Sequence, residues 1–175
     1  MVNRFAGPCP MDGLPHIVDV DALRFSERMV LWTLRLWQQS LFTGGEARTI
    51  LVEAYARLGV DGAVAAIDGS LWPHRVGAVR DIRFEAPNRG RLNADEIRML
   101  HLLALYQKGM LAAARPIHDA TLTPTAARSV QSPLTAWSTL LEEAGLILPL
   151  RDWVLPELTP APTRDAAPLR AATLH

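Results

Sequence analysis

Apolar residues recur every three or four positions along much of this chain, which is the spacing of one face of an α-helix. The pattern predicts helices over residues 21–42, 46–58, 62–68, 94–114 and 134–144. Gly44, Gly59 and Gly145 follow three of these segments, at the position where glycine commonly ends a helix. Because the connections are short, neighbouring helices are expected to run antiparallel. The chain is therefore predicted to be mainly α, with a single bundle-like domain of about five helices.

The first predicted helix has an unusually wide apolar side. Met29, Trp32 and Leu36 flank its main apolar stripe, while Arg35 falls on the polar side. One small bundle seldom covers so wide a face, and an uncovered apolar patch is typical of a protein–protein contact. We therefore expect Met29, Trp32 and Leu36 to bind a protein partner or a second copy in a homodimer. In the alternative, Trp32 is covered by the N-terminal arm or by the apolar segment 146–155.

Residues 76–90 follow no helical period. Ile82 and Phe84 alternate with charged residues there, which suits a short strand or an irregular segment. Asn93 and Glu96 then have the spacing of a capping box, in which each side chain binds the backbone N–H of the other. The long fourth helix is therefore predicted to begin immediately after Asn93.

An arginine-rich stretch precedes that helix and includes Arg83, Arg89 and Arg91. A helix N-terminus attracts anions, so these three arginines are candidates for an anion-binding site. In the alternative, the stretch is a solvated loop in which arginines pair with nearby carboxylates. Nucleic acid is disfavoured as a partner, since Lys+Arg and Asp+Glu both number 18 and no recognisable nucleic-acid-binding motif accompanies the arginines.

The two ends of the chain differ from its middle in composition. Residues 1–20 are rich in proline and glycine and are predicted to form an extended N-terminal arm. Residues 156–175 are rich in proline and alanine and lack a period, so they are predicted to be a disordered tail. The helical domain is thus placed at residues 21–155.

The N-terminal arm contains side chains that can bind a metal. Cys9, His16, Asp19 and Asp21 supply thiolate, imidazole and carboxylate groups, but their spacing matches no known metal-binding loop. We therefore expect no metal and no cofactor, and we expect an aspartate to cap the first helix instead. Cys9 is the chain's one cysteine, so no intramolecular disulfide can form.

Catalytic signatures are weak in this sequence. His74 and His118 are close to prolines, are predicted to lie in loops, and have no carboxylate at a useful offset. Lys108 is the only lysine, which narrows Schiff-base chemistry to one position. None of the common nucleophile, zinc or phosphate-binding motifs is present.

These observations favour a small cytoplasmic helical protein that acts as a protein-interaction or regulatory module without catalytic activity. The sequence contains no run of 18 apolar residues, so no membrane span is expected. The first alternative is an enzyme or sensor with a metal or anion site built from the arm and the arginine-rich stretch. The second alternative is a nucleic-acid-binding regulator.

Overall fold

A computed structural model describes residues 18–43, 45–60, 62–153 and 155 of the chain. A 3₁₀ turn at Val20–Ala22 precedes the first α-helix, and the mainly α fold predicted from the sequence is confirmed. Seven α-helices occupy the described ranges: α1 (Phe25–Thr43), α2 (Glu46–Arg57), α3 (Ala63–Val76), α4 (Ala94–Gln107), α5 (Leu111–Thr121), α6 (Pro124–Ser129) and α7 (Gln131–Glu143).

The predicted helix over 94–114 is in fact two helices. α4 ends at Gln107, and Gly109 adopts a positive φ of 67°, a conformation that glycine reaches without steric cost. The chain then turns into α5, which continues through Pro116 instead of stopping before it. Gly109 therefore marks the end of α4, whereas Pro116 does not end a helix.

α3 is longer than predicted, because it passes through Gly69 and Pro73 and ends at Val76. A Cβ atom added at Gly69 would lie 3.0 Å from the Pro133 side chain on α7. Gly69 thus serves close helix packing and does not end α3. As a result His74 lies on a helix, and His118 likewise lies on α5, so the prediction that both histidines lie in loops is wrong.

Five helices pack in a closed ring. α1 contacts α2, α2 contacts α3, α3 contacts α7, α7 contacts α4, and α4 returns to α1. Trp137 on α7 is fully buried in the centre together with Leu34 and Leu103. α5 and α6 pack on the outside of this ring against α4, α3 and α7. The result resembles the bundle that the short connections predicted.

Residues 77–92 lie between α3 and α4 and have no regular structure. In the described part of the chain no strand forms; two isolated bridges occur, Asp19 with Arg91 and Ala78 with Leu122. The irregular form of the prediction is therefore correct and the strand form is wrong. The backbone of this segment forms hydrogen bonds with side chains of α1 and α4. The backbone of a strand would instead bond to the backbone of a neighbouring strand.

The wide apolar side of α1 is largely covered within the chain. α2 and α4 pack on it, and the segment after α7 reaches its first turn, where the Ser26 hydroxyl donates to the Ile147 carbonyl at 2.8 Å. Leu36 is only 7% exposed, so it belongs to the core and is not available to a partner. Trp32 and Met29 are half-buried against the same core.

Residues 1–17 of the predicted N-terminal arm and the whole predicted tail, 156–175, lie outside the described residues. A helix that spans a bilayer needs about 20 consecutive, mainly apolar residues. Among the described helices, none is both long enough and apolar enough to cross a membrane.

Candidate binding cleft

A cleft of about 400 Å³ opens between the C-terminal halves of α1 and α3 and the irregular segment. This volume lies within the range usual for ligand-binding pockets. Six aromatic or aliphatic side chains and five polar or charged ones share the lining. The lining residues are Trp37, Gln38, Leu41, Phe42, Leu71, His74, Arg75, Asp81, Ile82, Arg83 and Phe84.

Hydrogen bonds fix the tryptophan on the α1 side of the cleft. The Trp37 indole N–H donates to a carboxylate oxygen of Asp68 at 2.9 Å. The other Asp68 oxygen lies 2.6 Å from the Arg48 guanidinium. The Trp72 ring meets the Trp37 ring edge-on, with centroids 5.5 Å apart, which is a favourable aromatic geometry. This wall is therefore held in place before any ligand arrives.

The opposite wall is held by one side-chain amide. Gln38 donates from Nε2 to the Phe84 carbonyl at 2.6 Å and accepts from the Phe84 N–H at 2.8 Å. The two bonds imitate the pairing of two strands. Asp95 on α4 adds a second anchor, because it accepts from the Arg83 N–H at 3.1 Å and forms an ion pair with Arg80.

The rim of the cleft carries a positive charge that no carboxylate balances. Arg83 pairs with Asp81 at 2.5 Å. Arg75 is exposed, and within the described part of the chain its guanidinium forms no hydrogen bond and no ion pair. The cleft therefore favours a ligand with a negative group close to an apolar one.

Exposed apolar side chains extend the cleft onto the surface. Phe42, at the end of α1, is 76% exposed. Trp72 and Val76 are four residues apart on α3, which places them on one side of the helix, and both are exposed. Exposed apolar groups clustered beside a cleft are typical of contact surfaces.

Behind the cleft lies a pair of buried histidines. His74 lines the cleft and also a small cavity of about 10 Å³ behind it. Its ring centroid is 6.4 Å from that of His118 on α5. Burial lowers the pKa of His74 below its usual value and that of His118 to about 4, and the neighbouring His74 adds to the shift at His118. Both rings are therefore neutral at pH 7.

The three arginines of the predicted anion site do not come together. Arg83 belongs to the cleft described above, whereas Arg89 and Arg91 are exposed along a separate open groove. In that groove Arg89 lies 3.8 Å from Glu85, and Arg91 lies 3.6 Å from Asp19. The groove residues include Asp21 as well, so the carboxylates there outnumber the arginines by three to two. This arrangement matches the solvated-loop alternative.

The candidate metal ligands are only partly within the described residues. Cys9 and His16 lie outside them. Asp19 forms a bridge with Arg91, and its side chain makes no capping hydrogen bond to the 3₁₀ turn, so the expected aspartate cap is absent at that position. In the part of the chain that the structure describes, no three His, Cys, Asp or Glu side chains form a group that could hold a metal.

Most of the cleft was not identifiable from the sequence as a site. Its residues come from three distant stretches, and the hydrophobic pattern assigns Trp37 and Leu71 simply to helix faces. The usable sequence signal was the excess of arginines over carboxylates in residues 74–91, which include Arg75 and Arg83. Comparison of the chain with protein-family models, with curated proteins and with solved structures finds no match in any of the three.

Proposed function

We propose that this protein is an interaction module without catalytic activity, and that its cleft binds an acidic segment of a partner protein through one apolar side chain. The observation that carries the proposal is the combination of exposed Phe42 and Trp72 with the unpaired charge of Arg75 around a cleft of about 400 Å³. The proposed contact lies at the C-terminal end of α1, around Phe42, and not on the face that carries Trp32.

The apolar part of the cleft supports most of the expected affinity. Complete burial of one large apolar side chain contributes roughly 1.5–3 kcal/mol. Aromatic residues surrounded by such contacts are frequently the strongest contributors at protein interfaces. The hydrogen bonds of Trp37 and Gln38 hold both walls, so little ordering free energy opposes binding.

Charge selects the kind of partner. An exposed arginine at the edge of an interface adds little affinity, but it speeds association with acidic partners and disfavours basic ones. Arg75 has this position, and the Arg83–Asp81 pair beside it is neutral as a pair. The open groove around Arg89 and Arg91 lacks this property because its carboxylates are in excess.

The test uses random peptides displayed on phage, selected against the full chain. We expect enriched peptides to share an aromatic or large aliphatic residue with an Asp or Glu nearby. Phe42→Ala should weaken a selected peptide at least tenfold in a titration. Phe25→Ala is the matched control, because Phe25 is also exposed (62%) but lies at the other end of the same helix. At 1.5 Å per residue, the two positions are about 25 Å apart.

The role of charge is tested with a second matched pair. Arg75→Glu should weaken the same peptides, with an effect that fades at high salt, whereas Arg28→Glu should not. Arg28 is likewise exposed, without an ion pair among the described residues, and it lies far from the cleft. Equal effects of Phe42→Ala and Phe25→Ala, or peptides enriched in basic residues, would refute the proposal.

A second copy of the chain is the alternative occupant of the cleft, and it must be distinguished from a peptide. Light scattering across a concentration range measures self-association directly. A wild-type dimer that Phe42→Asp converts to a folded monomer would replace the acidic partner with a second copy. A wild type that stays monomeric while Phe42→Ala loses the peptides would support the proposal as stated.

A further inference from the structure

Two buried histidines meet where the C-terminal ends of α3 and α5 come together. In each ring one nitrogen is hydrogen-bonded: His74 Nδ1 lies 2.8 Å from the Ser70 carbonyl, and His118 Nε2 lies 3.0 Å from the Tyr106 hydroxyl. The second nitrogen of each ring, Nε2 of His74 and Nδ1 of His118, is buried without a hydrogen-bond partner. This arrangement tolerates neutral rings only.

The consequence of adding a proton follows from the hydrogen bonds. Because a carbonyl only accepts, the hydrogen of neutral His74 is on Nδ1, and an added proton must go to the buried Nε2. There it would find no acceptor. An unpaired buried charge is among the most costly features of a protein interior. Two protonated rings with centroids 6.4 Å apart would also repel each other.

The surrounding charges offset only part of this cost: Asp95 raises the pKa of His74 and Asp119 that of His118, but burial lowers both pKa values by more. On the side of α4, Asp95 and Arg98 line the small cavity beside His74, and Asp95 already binds Arg98 at 3.1 Å. On the other sides, Asp119 adjoins His118 along α5 and pairs with Arg115. In the cleft, the charged groups that line the same space as His74 are Arg75, Asp81 and Arg83.

The ends of α3 and α5 are joined by backbone bonds next to this pair. The Val79 N–H donates to the Thr121 carbonyl at 3.0 Å, and the Thr123 N–H donates to the Gly77 carbonyl at 2.8 Å. A bridge between Ala78 and Leu122 lies between them. The wall of the cleft, residues 81–84, begins just beyond this clamp, so separation of the two helix ends would move it.

We propose that His74 and His118 form an acid-sensitive latch, which clamps residues 77–79 onto the end of α5 while both rings are neutral and releases them when the rings are protonated. The neutral His118 ring packs edge-on against Tyr106, with centroids 5.9 Å apart, and the His74 ring lies next to it. Protonated rings turn toward water and separate the helix ends. The latch adds regulation by pH to the chain, whether or not the cleft binds a peptide.

The pKa values give the direction and size of the effect. Burial holds the pKa of His118 at about 4, whereas a released histidine has its usual pKa near 6.5. Acidification between these values therefore favours the released form, because that form binds more protons. At pH 5, His118 alone shifts the equilibrium about 30-fold toward release, and His74 acts in the same direction.

The test is amide hydrogen exchange of the full chain at pH 7.5 and pH 5.0, read by NMR and corrected for the intrinsic rate at each pH. We expect protection of Val79 and Thr123 to fall at least tenfold at pH 5.0. The control amide is Asn93, which donates to Glu96 in a region without histidines, and its protection should hold. In His74→Gln/His118→Gln, Val79 and Thr123 should no longer respond to pH.

A uniform loss of protection that includes Asn93 would indicate general acid unfolding and overturn the latch. An unchanged Val79, or a double variant that responds like wild type, would overturn it as well. If the double variant does not fold, the histidine ring protons of the wild type are titrated instead. The latch requires that the Val79 and Thr123 amide shifts follow the titration of His74 and His118; independent titration overturns it.

Discussion

Two buried polar groups of this protein are built on opposite principles. In the first, Arg35 on α1 and Glu96 on α4 form an ion pair that is almost fully buried, with side chains 3% and 0% exposed. Arg35 binds both oxygens of Glu96, at 2.8 and 3.0 Å, and also the carbonyls of Arg89 and Arg91. Glu96 in turn accepts from the N–H groups of Glu85 and Asn93. Here two charges are buried and each is bound from several sides.

The second group is the pair His74 and His118, which is neutral and only half satisfied. Each ring leaves one nitrogen without a hydrogen-bond partner. The comparison teaches that burial of charge and sensitivity to pH are separate properties. A charge surrounded by donors and acceptors is stable, whereas a neutral group with an orphan nitrogen is stable only while it stays neutral.

The largest expected effect comes from breaking the ion pair. Arg35→Met leaves the Glu96 carboxylate buried without its cation and should lower the free energy of unfolding by about 3–5 kcal/mol. Urea unfolding at pH 7 measures it. Arg28→Met, on the exposed side of the same helix, is the control and should change it by less than about 0.5 kcal/mol. Similar losses of unfolding free energy in Arg35→Met and Arg28→Met would mean that the buried ion pair does not cause the effect.

The next largest effect is the pH dependence of stability, which is expected from the histidine pair. Because the folded pKa of His118 is about 4 and the unfolded value is near 6.5, its stabilisation is complete above pH 6.5 and is lost as the pH falls toward 4. This histidine alone should remove about 3 kcal/mol over that range. His118→Gln should have a flatter dependence in urea unfolding at pH 7, 6, 5 and 4. A constant difference between variant and wild type would contradict this.

A smaller effect tests the cap that positions Glu96. Asn93 accepts from the Asp95 and Glu96 N–H groups, at 3.0 and 2.9 Å, and completes the capping box with the Glu96 side chain. Asn93→Ala should lower the free energy of unfolding by about 1 kcal/mol. Asn88→Ala, in an exposed turn, serves as the control. A loss above about 3 kcal/mol would show that the cap also holds the ion pair together.

The smallest effect concerns the exposed arginines whose carbonyls bind Arg35. Replacing both Arg89 and Arg91 by alanine keeps those carbonyls and removes only exposed pairs with Glu85 and Asp19. Such pairs are worth little, so stability should change by less than about 1 kcal/mol. Thermal unfolding measures it. A shift in melting temperature comparable to that of Arg35→Met would show that these side chains are structural.

Local features of the fold could be predicted from the sequence where the signal was itself local. The capping box at Asn93 and Glu96 needs only two residues at the right spacing, and the structure contains it. The end of α2 before Gly59 is of the same kind. Gly69 was a misleading signal, because its role depends on Pro133, which α7 brings against α3.

The sites were less predictable, since they depend on residues far apart in the chain. Arg35 looks like a surface residue in the pattern of α1, and only the path of residues 85–93 across the helix buries it. His74 and His118 are 44 positions apart, and no spacing rule connects them. Contacts of this kind follow from tertiary packing, which a hydrophobic period does not encode.

The end of α4 offers a practical consequence. Lys108, the only lysine in these 175 residues, is the C-cap of that helix, and its side chain is exposed. It lines neither the cleft nor the open groove. Apart from the amino terminus, an amine-reactive dye or a surface tether therefore attaches at one known point. The molecule can be immobilised there in a single orientation, with the cleft left free for measurement.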